Sequence, residues 1–561
     1  MRLRRGLRKA WLTTTAVVAL AACGDTSVMA GDTEALLSLL ASKGVISSSE
    51  ARAVTSAPPA EQSDRLVAIL RKKGVLADGD IQALKSKSRP ASVATTDARP
   101  APASVVAPPA GAPVGSAPMP RKAASIEVGG FEIAPVGYLA LTGATRSTNT
   151  GTATTTNFGA IPFDNTVQGN NTETRLSAQN SVLGLRARGN IGGVDLTGYF
   201  EGDFNGNDPA NVYVNSNSHT FRMRLAYADV RAGQFETSFG QTYSWLTPNR
   251  YGMGPDPSDV FLTNNIDQSF QVGLPWARQA AAHFAWHATP NFTIGAGVEN
   301  SQQYVGAGEV TYPFAFNAQL ASQFDAANNP GTPNRIPDVV AKAAYDSDVW
   351  SGTRLHLEAA GMWRHFRADS LGLGATSFGW HDTNGWAGTV AANLEFFRTF
   401  TLVGNAFWSN GGGRYLGGLG PDVVASVSGA PGAYDVALST VRSHGYLAGF
   451  EWRVLQPTVL SAYYGQAFFD NNYFLDPTNP VPNRYAGFGG PNSPNSANKQ
   501  IEQWTVDLKH TFWADPQYGA ISGLAQYSYL RREPWFVATG APGEAHAHLF
   551  FSELRYQLPG N

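Results

Sequence analysis

One cysteine, Cys23, stands in 561 residues, so no disulfide can form within the chain. An uninterrupted apolar run of the roughly eighteen residues that a transmembrane helix needs is also missing. With 43% apolar and 15% charged residues, the composition is too polar for a helical membrane bundle. Catalytic grammar is absent: there is no HExxH, GxSxG or Walker loop, and the glycines at 411–413 lie in a low-complexity stretch with no helical pattern behind them. His546 and His548 share one strand face, but without a third ligand nearby they read as edge histidines, and neither a metal nor a cofactor is expected. A formal charge of −2 gives no footprint for nucleic acid. An enzyme is therefore not expected.

What is present begins with an export signal. Arg2, Arg4, Arg5, Arg8 and Lys9 precede the apolar run Trp11 to Ala22, about twelve residues and too short to span a bilayer. Two processing sites compete. Leu20 to Cys23 reads as a lipobox that would place lipid on Cys23, and Val28 to Ala30 reads as an ordinary small-x-small site, which makes residues 1–30 a signal peptide. Residues 31–87 hold a duplicated unit, LLSLLASKGVIS at Leu36 and RLVAILRKKGVLA at Arg65, with Gly44 and Gly74 in register. Each apolar stripe ends at Lys-Gly, and Ser47 with Glu50 forms a capping-box pattern, so a small α-helical periplasmic extension is expected. Residues 88–125, rich in Pro and Ala, form a linker.

From 126 to 561 the pattern is period-two alternation broken by turn clusters. Sixteen strands fit, near 130–143, 174–189, 194–205, 219–231, 234–243, 275–288, 291–301, 337–347, 352–367, 384–397, 400–410, 441–454, 458–469, 500–513, 519–532 and 546–558. Short links such as Asn190 to Gly193, Ala232–Gly233 and Gln456–Pro457 alternate with long ones at 144–173, 206–218, 244–274, 302–336, 368–383, 411–440, 470–499 and 533–545. That asymmetry predicts an all-β transmembrane barrel of about sixteen antiparallel strands, with short periplasmic turns and long external loops. Tyr227, Trp286, Tyr345, Phe396, Trp452, Phe512 and Tyr556 fall near the ends of successive strands in phase with their apolar sets, as an outward interfacial girdle would.

Strand parity sends a second set of residues inward. The expected pore lining comprises Arg186, Arg188, Glu201, Asp203, Arg222, Arg224, Arg354, Arg364 and Lys509, with Lys342, His356, Glu358, Glu451, Arg453, Asp507, Glu553 and Arg555 on the same face. Arginines on a pore wall attract anions and offer planar donors, whereas pairing with Glu201 and Asp203 would make the same residues wall braces. The 244–274 link carries Trp245, Arg250, Tyr251, Asp256, Asp259 and Asp267, stiffened by Pro248, Pro255 and Pro257. Folded inward it would set the constriction; folded outward it would be an external or trimer-latching loop.

SVLGLRARGNIGGVDLTGYFEGDF from Ser181, RMRLAYADVRAGQFETSFGQTYS from Arg222 and PDVVAKAAYD from Pro337 resemble the DcaP-like and related porins of Gram-negative outer membranes. The resemblance implies a homotrimer of sixteen-stranded channels, in contact with outer-membrane lipid, that pass small hydrophilic and commonly anionic solutes. One departure is the chain's run past Tyr556 to Leu558, Pro559, Gly560 and Asn561, where many such barrels finish on an aromatic. Two other readings stay open: a channel selective for phosphate or sugars, and a plugged barrel that anchors the helical extension.

Overall fold

The computed structural model describes residues 47–57, 65–66, 68–69, 72, 125–152, 154–206, 219–255, 270–326 and 330–560. The chain divides into two units, 1–110 and 111–561. In the first, helix α1 (Ser48–Thr55) starts at Ser47, whose hydroxyl accepts from the Glu50 amide while the Glu50 carboxylate accepts from the Ser47 amide. The first copy of the repeat up to residue 46, most of the second copy and the linker to residue 124 lie outside the described residues, as do Cys23 and the signal.

The second unit is a closed barrel of sixteen antiparallel strands: β1 (Phe131–Arg146), β2 (Val182–Ile191), β3 (Val194–Asp203), β4 (Arg222–Ala232), β5 (Phe235–Tyr243), β6 (Arg278–Thr289), β7 (Phe292–Glu299), β8 (Asp338–Trp350), β9 (Thr353–Ser370), β10 (Gly379–Phe396), β11 (Phe400–Asn410), β12 (Arg442–Leu455), β13 (Thr458–Phe469), β14 (Asn498–Asp515), β15 (Gly519–Pro534) and β16 (Ala545–Gln557). Each strand pairs with its sequence neighbours, and β1 pairs with both β2 and β16, so no long edge remains. Short segments Ile126–Val128 and Glu173–Ser177 also pair with β1.

Two expectations are corrected by irregularities in the ladder. The 174–189 segment is not one strand: it breaks at residues 178–181, where the Ser181 amide bonds the Ala178 carbonyl, and the two pieces pair with different halves of β1. The second irregularity is a bulge in β4. Asp203 and Gly202 face Arg222 and Met223, but Glu201 faces Leu225, leaving Arg224 as the extra residue. A bulge reverses parity beyond it. Tyr227 therefore turns inward, stacked on Tyr199 at 5.3 Å, and leaves the girdle. Trp286, Tyr345, Trp452, Phe512 and Tyr556 stay on the exposed outer face, where Phe235, Phe284 and Phe292 join them. Toward the other end a second belt holds Trp363, Trp386, Trp408, Tyr446, Trp504, Tyr527 and Phe550. Exposed aliphatics such as Leu139, Leu185, Leu357, Val390 and Val506 fill the band between, which suits hydrocarbon and would be a liability in water.

The long links carry structure of their own: a hairpin (Val423–Ala430 with Ala433–Thr440), a small sheet of Val310–Thr311, Tyr485–Phe488 and Asn472–Leu475, and helix α2 (Asn317–Leu320). Their apolar side chains, among them Phe158, Phe270, Phe316, Tyr415, Val424 and Phe488, join inward wall residues such as Phe366, Phe407 and Phe469 in one buried cluster. The core of this protein is thus formed between the loops and the inside of the wall.

Candidate functional site: the barrel interior

Two limbs of the link after β5, residues 244–255 and 270–277, run inside the barrel. At its root the Trp245 amide donates to Glu299, 2.9 Å away, and the Trp245 ring stacks on His283 at 4.3 Å. Lys342 of β8 donates to the Thr247 carbonyl at 3.0 Å and the Asn249 side chain at 2.8 Å, while the Asn249 and Gly252 amides donate to Glu358 and Asp346. Those two carboxylates flank His356, at 3.2 and 2.7 Å, and Lys342 lies 2.9 Å from Glu358. Arg250 then reaches Glu451 on β12, which also accepts from Tyr463. The return limb presses its backbone on the wall: a Cβ on Gly273 would lie 2.1 Å from the Tyr446 carbonyl, and one on Gly465 of β13 would lie 1.7 Å from that of Val272. Gly273 also has φ +89°, a second reason for glycine there. Asp256, Asp259 and Asp267 fall outside the described residues.

Among the wall residues, charge and exposure separate. Arg224 is buried, 3.0 Å from both Glu201 and Asp203, and Arg222 lies 2.7 Å from Asp203 with its side chain 38% exposed. Arg364 points inward yet is fully buried beneath the 411–422 segment, 3.0 Å from Asp338 and from Asp422, so it meets no open water. Arg354 does: its side chain is 47% exposed, 5.5 Å from the ring of Tyr251 and 3.9 Å from the exposed Asp348. Arg186 donates to the Gly560 carbonyl at 2.6 Å, because the tail after Tyr556 turns in and the Leu558 amide bonds the Gly137 carbonyl. Arg188 is exposed opposite Glu132, and Lys509 is half-buried two positions from buried Asp507. Trp245 is buried, whereas Tyr251 is 42% exposed. On the outer face, His548 bonds the Tyr527 hydroxyl, and no cluster of three or more metal-ligating side chains occurs among the described residues.

Sequence reasoning missed Arg414, Asp422 and Tyr415. They sit in a glycine-rich link with no alternation, and only the Asp338 and Arg364 that they meet carried a strand signal.

A closed sixteen-stranded barrel with an apolar outer band, two aromatic belts, a charged interior and a loop laid inside defines a transmembrane-type β-barrel. Compared with solved structures, the chain has the fold of the outer membrane channel DcaP of Acinetobacter baumannii: TM-score 0.52, 15% identity, 76% of this chain and 97% of that one covered. An anion-selective porin from Comamonas acidovorans (TM-score 0.41, 11% identity, 76% and 99% covered) and Pseudomonas putida OprB (0.40, 11%, 76% and 94%) are more distant. No protein-family model and no curated protein matches the chain. The resemblance to the DcaP-like porins therefore holds at the level of the fold.

Proposed function

We propose that the protein is an outer-membrane porin of the DcaP-like kind, exported by its signal and assembled as a homotrimer, through which small hydrophilic solutes diffuse passively. The observation that carries this reading is the charged interior of a closed barrel, with a polar-anchored loop lying across it. Solvent-exposed inward side chains, Arg354 at 47% and Tyr251 at 42%, favour a water-filled passage over a barrel packed shut.

The solutes in this reading are anions, for a narrower reason than the number of arginines. Arg222, Arg224 and Arg364 are each matched by an acid, so they contribute little net field. The lean comes from Arg354, which lies beside Tyr251 and whose partner Asp348 is 3.9 Å away and itself 80% exposed, and from Arg186 on β2, which presents guanidinium donors toward the interior. Purified protein in planar bilayers tests the proposal. Discrete conductance steps, with a reversal potential of anion-selective sign in a potassium chloride gradient, are expected. A barrel that inserts but carries no current would instead be the plugged anchor, and a cation-selective potential would reverse the choice of solute.

A further inference from the structure

The 411–441 link enters the barrel beside the loop after β5, and the two are joined. The 3-10 turn Gly413–Tyr415 places the Tyr415 carbonyl 2.7 Å from the Trp276 amide, which donates to it. Leu416 packs over Gly445, whose other neighbour is the Gly273 backbone, and Phe270 lies against Gly417. The return limb of the first loop is thus sandwiched between the β12–β13 wall and residues 415–417.

Four charges hold that second segment. Arg364 of β9 lies 3.0 Å from Asp338 and 3.0 Å from Asp422, and donates to the Gln302 and Gly411 carbonyls. Arg414 stacks on the Tyr415 ring at 4.3 Å, donates to the Tyr415 hydroxyl at 2.7 Å and to Gln302 at 2.6 Å, and faces Asp338 and Asp422 at 3.6 and 3.7 Å. Asp422 also accepts from the Arg414 amide. The neck closes where the Gly411 amide bonds the Val441 carbonyl and the Val441 amide bonds the Asp422 carbonyl. Two arginines and two aspartates are balanced and buried, so none of the four can touch a passing solute.

We propose that these residues act as positioning residues for the passage: the clamp of Arg364, Arg414, Asp338 and Asp422 fixes residues 411–417, and these in turn fix the return limb of the loop after β5 and hence the aperture. The inference rests on the channel reading. A buried pair is sensitive to removal of one partner and tolerant of balanced replacement in stability, so stability and aperture can be separated.

Two variants test it in bilayers: the balanced double variant Arg414→Gln with Asp422→Asn, and a chain with residues 412–440 replaced by a short Gly-Ser link. Each is expected to keep the heat-resistant barrel migration of the parent, to raise single-channel conductance roughly two-fold with greater open-channel noise, and to admit larger polyethylene glycols. The charge-conserving variant Arg414→Lys, which keeps a cation facing Asp338 and Asp422, is expected to stay near the parent values. If the parent conducts and either inserted variant keeps the parent's conductance and size cut-off, the clamp has no part in the aperture. If the parent itself passes no current, the channel reading fails, whatever the clamp does.

Discussion

Arg354 and Arg224 face the same interior, yet only one of them meets water, and that difference predicts which controls selectivity. Replacing Arg354 by Gln removes an exposed cation 5.5 Å from Tyr251 and is expected to move the reversal potential toward the cation-selective side. The paired change Arg224→Gln with Glu201→Gln removes opposite charges 3.0 Å apart and is expected to leave that potential unchanged. Arg224→Gln alone leaves a buried carboxylate uncompensated and should cost about 3–5 kcal/mol of stability, read from urea unfolding in detergent. A selectivity change from the paired variant, or none from Arg354→Gln, would refute the assignment. At this scale strand parity was legible through Arg186, Glu201 and Arg222. It failed at Tyr227 because the bulge at Arg224 adds one residue without changing the local alternation of residue types. Burial was illegible too: Arg354 and Arg364 share a strand and a parity, and only the 411–422 segment covering one of them separates their roles.

Among the elements, strands were the readable part. Phe400–Asn410 and Thr458–Phe469 end at the expected residues because tight turns with Phe397 and Arg398 at positive φ, or Gln456–Pro457, stop them. Loop direction was not readable, since Trp245, Phe270 and Leu416 look like interrupted core in sequence and find their partners only across the barrel. The link between β7 and β8 gives a prediction of its own. Glu309 is buried, its Oε2 meets no hydrogen-bond donor among the described residues, and burial pushes its carboxyl well above the usual carboxylate range. A carboxyl raised in the folded loop favours order below its unfolded pKa, and that contribution is lost as pH rises through the folded value. Hydrogen exchange across residues 300–326, corrected for intrinsic rate, should therefore increase from about pH 5 to about pH 8 beyond what the rest of the barrel shows. Glu309→Gln should flatten the difference; a variant with the parent's pH dependence would show that another group is responsible.

The whole molecule poses the question of where transport resides. Sixteen strands were countable because long and short links alternate without a break, and an even number lets β16 return to β1. Closure is complete within residues 125–560: Tyr138 to Arg146 pair with Gln557 to Leu549, Leu558 reaches Gly137, and every internal anchor described above comes from this unit. Helix α1 belongs to the other unit, residues 1–110. A chain carrying an export signal fused directly to residue 125 is therefore expected to insert, to migrate as a heat-resistant barrel and to show the parent's single-channel conductance and reversal potential. If the helical repeat instead supplied part of the passage, the shortened chain would insert and conduct differently. If the barrel existed chiefly to hold that repeat, cells with the shortened chain would lose the phenotype of the parent while solute uptake stayed the same. Measuring both conductance and uptake on the one shortened chain thus decides between a channel that bears an extension and an extension that borrows a barrel.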